Sequence, residues 1–154
     1  DRFVSSGSGY CNRVYIRNTE TTQVILDFDA MRAGDTFLRA MLTVNRRGYV
    51  SIGVTLTNRG HRDTMAIASI DAQVREYNLD DYFDNVIQKT QNLRNFELVQ
   101  KNLFTSMAFE KNLIDDDFHP ILSEGKTRFI WAYGRTNTHS HHINRGAFLL
   151  DVSL

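Results

Sequence analysis

The feature that most constrains this chain is a period of two. Short runs of alternating apolar and polar residues recur along it, separated by turn-forming residues. Residues 11–17 put Val14 and Ile16 on one face. Residues 22–29 put Val24, Leu26 and Phe28 on one face and Gln23, Ile25 and Asp27 on the other. Residues 37–44 follow the turn residues Ala33, Gly34 and Asp35. Asn45-Arg46-Arg47-Gly48 reads as a hairpin turn, since glycine accepts the positive φ such turns need, and residues 49–56 alternate again. Residues 64–70, 129–133 and 147–154 read as apolar strands, and residues 96–109 as two strands with a tight connection. Residues 82–91 fit a helical and a strand period equally. Residues 114–124 are acidic, contain the only proline, Pro120, and read as loop. Many strands at this spacing predict an all-β sandwich rather than a βαβ fold.

Composition narrows the function classes. The chain has 154 residues, which suits a single domain over residues 1–154 with residues 1–10 irregular. No repeat or low-complexity block divides it. Eighteen basic residues balance eighteen acidic ones, so no net charge favours nucleic acid or a membrane surface. No apolar run reaches the roughly 18 residues of a membrane span. Cys11 is the only cysteine, which excludes an internal disulfide. No leader and no N-x-[ST] glycosylation site is visible.

Motifs of familiar chemistry are absent: no GxGxxG, Walker loop, CxxC or HExxH occurs. No nucleophile–base pair or paired carboxylate arrangement stands out, so a hydrolytic or transferase enzyme is the least supported reading. Asp115-Asp116-Asp117 is either a solvated acidic loop or a site for a hard cation such as calcium. Three of the five histidines crowd into His139-Ser140-His141-His142. In an extended segment His139 and His141 share a face, and two such imidazoles can bind zinc or copper; one can ligate haem iron. Met65, in a strand-like run after a polar loop, is either core packing or a soft ligand.

Over residues 22–154 these segments together resemble a DOMON domain. Gly48-Tyr49-Val50-Ser51-Ile52-Gly53 is similar to that family's G-W-[VA]-[AS]-[IV]-G strand, with Tyr49 where Trp is common. Asp63-Thr64-Met65 and the residues after it resemble the methionine-bearing segment. Phe109-Glu110-Lys111-Asn112-Leu113 followed by Asp117 resembles F-x-R-x-L…D, with Lys111 in place of Arg. His119-Pro120 stands where a second acidic residue is usual. Trp131-Ala132-Tyr133-Gly134 resembles W-A-x-G, and His142-Ile143-Asn144-Arg145-Gly146 resembles the closing H-x-x-R-G element.

The resemblance implies an immunoglobulin-like β-sandwich of about ten or eleven strands. It also implies a haem b at one end of the sandwich, with Met65 and His142 as axial ligands and His141 as the alternative to His142. Arg145 would pair with a propionate. The expected function is electron relay to a partner domain or protein, in an extracellular or cell-surface module of a larger protein. The alternative within the same family is non-redox binding of a carbohydrate or another protein, to which Tyr10, Tyr15, Tyr77, Tyr82 and Trp131 would offer aromatic surfaces.

Overall fold

The structure, a computed structural model, describes residues 9–29, 36–57, 63–79, 91–139 and 143–153, together with the backbone of residues 86–87. Eleven strands run in chain order: β1 (Asn12–Asn18), β2 (Gln23–Phe28), β3 (Phe37–Val44), β4 (Val50–Thr55), β5 (Thr64–Ala68), β6 (Arg75–Asn78), β7 (Val86–Ile87), β8 (Arg94–Lys101), β9 (Phe104–Asn112), β10 (Thr127–Tyr133) and β11 (Asn144–Leu150). A 3-10 turn, Ile70–Ala72, joins β5 to β6. The strands form two antiparallel sheets, one ordered β1-β2-β3-β9-β8 and the other β11-β10-β4-β5-β6-β7. The fold is the β-sandwich that the period of two predicts.

Alternation decides which residues meet between the sheets. One sheet contributes Leu26, Phe28, Leu38, Leu42, Met107 and Phe109, and the other Val50, Ile52, Val54, Ile67, Phe129 and Trp131. Leu42 and Met107 are fully buried and face each other across β3 and β9. Burying side chains of this size stabilises the fold by about 1.5–3 kcal/mol each relative to leaving them in water.

The expected hairpin at residues 45–48 is not one. β3 and β4 lie in different sheets, so this segment carries the chain from one layer to the other. The glycine is needed all the same. Gly48 has φ 127°, and a Cβ there would lie 2.2 Å from the carbonyl oxygen of Gly134. The expected tight connection between residues 96 and 109 is present, with β8 and β9 paired around Asn102, whose φ is 51°. Residues 113–126 are loop, as their composition implies, with one isolated bridge between Asp115 and Phe118. Most of residues 82–91 lie outside the described residues; Val86 and Ile87 pair with β6 as strand.

The connections divide between the two ends of the sandwich. The β9–β10 connection leaves β9 at Asn112 and enters β10 at Thr127, beside the end of β4 at Val54. This is called the near end below. The β3–β4 crossover and the β10–β11 loop sit at the far end, where Tyr133 pairs with both Val50 and Asn144.

Candidate functional site

Met65 stands near the start of β5, opposite Val54 on β4 and Asn78 on β6. Its register puts it on the face of Ile67, toward the sandwich interior, and its side chain packs half-buried against the main core. Gly53 is one reason β4 and β5 pack so closely here. A Cβ on it would fall 2.7 Å from the Met65 carbonyl oxygen and 3.1 Å from the Ala66 Cβ. The thioether is thus held on a strand at the near end, not on a loop.

The histidine loop is rooted at the far end. The Thr136 carbonyl accepts from the Tyr49 amide at 3.0 Å, and the Asn137 carbonyl from the Asp71 amide at 2.7 Å. The Asn137 side chain exchanges hydrogen bonds of 2.7 and 3.0 Å with the Gln100 amide. His139 is exposed, its ring 6.3 Å from that of Tyr49. Tyr49 belongs to a second buried cluster with Ala66, Ala68, Ile70, Tyr77 and Leu79, on the outer face of the six-stranded sheet. Burial raises the phenol pKa of Tyr49 above its ordinary value. His141 and His142 lie outside the described residues. Arg145 is exposed on β11, opposite Ala132.

The register sets Met65 apart from the point where β10 ends at Tyr133. The Val54–Met65 row and the Val50–Tyr133 row are four residues apart along β4, or about 13 Å at the rise of a strand. A different imidazole shares the near end with Met65. His119 sits in the β9–β10 connection, between Phe118 and Ile121, both buried in the core. Its Nε2 is buried without a hydrogen-bond partner. Buried polar atoms left in this state are uncommon and call for an explanation. The sequence marked His119 only as a departure from the family pattern; an orphaned nitrogen is a three-dimensional property with no sequence signal.

The sequence motifs interlock at the far end and across β10. A Cβ on Gly134 would meet the Tyr49 ring at 1.9 Å, and one on Gly146 would meet the Trp131 indole at 2.7 Å. The glycines of W-A-Y-G and R-G thus make room for an aromatic ring of a neighbouring motif, which ties β4, β10 and β11 together.

Solved structures include a neighbour in fold. The chain shares its fold with the cytochrome b domain of pyranose dehydrogenase from Coprinopsis cinerea. The TM-score is 0.66 at 11% sequence identity, over 92% of this chain and 81% of that one. No family model matches the sequence. No curated protein matches it either.

Other sequence-level candidates divide clearly. Asp115 is no free cation ligand. Its carboxylate accepts from Lys111 Nζ, from Asn92 Nδ2 at 3.0 and 3.1 Å, and from the Asp117 amide at 2.9 Å. Burial pushes its pKa up, but the hydrogen bonds from Lys111, Asp117 and Asn92 outweigh this and hold it below the usual carboxylate value. Lys111 is completely buried and also pairs with Glu76 Oε2 at 2.5 Å. Two carboxylates, Glu76 and Asp115, therefore answer Lys111, while Asp117, two residues further on, is exposed. No group of three or more His, Cys, Asp or Glu among the described residues is arranged to hold a metal ion. Of the aromatic residues considered for carbohydrate, Trp131 and Tyr77 are buried and Tyr15 is 53% exposed, while Tyr82 lies outside the described residues. No helix among the described residues is long and apolar enough to cross a membrane.

Proposed function

We propose that this chain is a DOMON-type cytochrome domain that binds haem b and relays electrons to or from a partner domain or protein. The observation that carries the reading is the likeness of fold, over 92% of the chain, to a cytochrome b domain of a dehydrogenase. The donor chemistry fits the group. Met65 is a half-buried thioether on a rigid strand, and imidazoles are available at both ends. In the first reading Met65 and His142 would hold the iron, with His141 as the alternative to His142 and Arg145 toward a propionate. A thioether–imidazole pair leaves no open position and raises the reduction potential, which suits electron transfer. The apolar interior that Met65 adjoins would keep water from the iron.

A second reading keeps Met65 and replaces His142 with His119. The orphaned Nε2 of His119 at the near end favours it. In either reading the domain is an extracellular or cell-surface module of a larger protein, and carrier rather than catalyst.

An absorption spectrum after haem addition tests the proposal. A strong Soret band, with sharp α and β bands on reduction, is expected; a chain that stays colourless ends the proposal. Met65→Ala should convert the six-coordinate spectrum to a five-coordinate one. His142→Ala, His141→Ala and His119→Ala, each made alone, identify the imidazole as the one whose loss has the same effect.

A further inference from the structure

Between the edge strand β8 and the stretch from Ala72 to Arg75 lies a cleft of about 550 Å³. That volume is within the range of small-molecule sites. Its floor is apolar: Val74 belongs to the core, and Leu93 and Leu98 pack against it. Phe96 stands at its rim with 55% of its surface exposed. A phenyl ring left this open beside a concave apolar floor is a platform without a covering partner among the described residues.

The polar part of the rim sets the charge of what fits. Arg75 and Glu97 contribute one charge of each sign, and Gln73 and Gln91 contribute amides that both donate and accept. The wall is fixed from below. Gln91 Oε1 accepts from the Glu76 amide at 2.8 Å, and Glu76 Oε1 accepts from the Asn92 amide at 2.6 Å. Glu76 in turn is paired with buried Lys111. The segment that closes the cleft is thus pinned to a charge network in the interior, so the cleft is formed before any ligand arrives.

We propose that this cleft is a binding site for a neutral, planar ring molecule bearing a hydroxyl or carbonyl group. The ring would lie on the apolar floor against Phe96, with its polar edge toward the amides. Met65 is not among the residues that line the cleft, so the proposal does not rest on the haem reading.

Titration of the ¹⁵N-labelled chain with 1-naphthol, followed by amide chemical shifts, tests the proposal. Saturable shifts confined to residues 72–75 and 91–98 are expected. Phe96→Ala should weaken binding about fivefold, the worth of one aromatic contact. Gln73→Trp should fill the cleft and abolish binding. Tyr15→Ala, which removes an exposed ring from the opposite edge strand β1, should leave binding unchanged. Phe96 and Gln73 are exposed, so both variants keep the core intact. The proposal is overturned by shifts that do not saturate, by shifts centred elsewhere, or by an affinity unchanged in both cleft variants.

Discussion

Lys111 brings a full positive charge to a place with no exposed surface, and its neighbours make this possible. Glu76 from the facing sheet and Asp115 from the β9–β10 connection accept from its ammonium group, and the Phe118 ring lies 4.3 Å from it. Removing the cation would leave two buried carboxylates facing each other. Lys111→Met is therefore expected to lower stability by about 3–5 kcal/mol, read from the urea midpoint. Adding Glu76→Gln to that variant should restore part of the loss, because one uncompensated charge is then gone. Acid acts on the same network. Asp115 titrates below its unfolded value of about 4, so the folded state gives up this proton more readily than the unfolded chain. Its stabilisation is complete above that value and is lost as pH falls through the folded one. Urea midpoints of the wild type and Asp115→Asn should differ at pH 7 and converge as pH falls through the lowered folded value. From sequence, Lys111 was visible only as a lysine in an arginine position, with no partner assigned to it. The turn bridged between Asp115 and Phe118 brings the Asp115 carboxylate to it.

Between elements, contact depends on which glycine faces which ring. Gly134, just beyond β10, lies against the Tyr49 ring on the crossover into β4. Gly134→Ala should cost about 1–3 kcal/mol, the usual penalty of overpacking. In a Tyr49→Ala background the same change should cost under about 0.5 kcal/mol, since the clash has been removed. Equal costs in both backgrounds would mean that the glycine serves its own backbone and not the ring. The motifs Gly48–Gly53 and Trp131–Gly134 were legible in the sequence, and so was the alternation that puts Ile52 and Trp131 inside. The hairpin expected at residues 45–48 failed for a definite reason. A period of two tells which face of a strand is buried, but the inner faces of both sheets look alike to it. Val44 and Val50 are both buried, yet they belong to different layers.

For the whole molecule, the proposed haem reading turns on which imidazole would accompany Met65. The resemblance implies His142, which lies outside the described residues. The antiparallel path of β4, β5 and β10 sets Met65 four residues of strand from the end of β10 at Tyr133, while the chain between β9 and β10 brings His119 to the Met65 end. Oxidised low-spin haem iron is paramagnetic, so it broadens and shifts nearby amide signals steeply with distance. If His119 is the imidazole donor, the affected amides should be those of Val54, Thr64 and residues 113–121. Tyr49 and residues 134–137 should then stay sharp. If His142 is the donor, the effect should also reach residues of the β10–β11 connection such as 137–139 and 143. The choice also sets the electronics. A thioether is the weaker donor to ferric iron, so Met65→His should lower the midpoint potential in either arrangement. An unchanged potential in a variant that still binds haem would remove Met65 from the iron. Met65 would then be a core residue, and Met65→Leu would be a nearly neutral change costing less than about 1.5 kcal/mol.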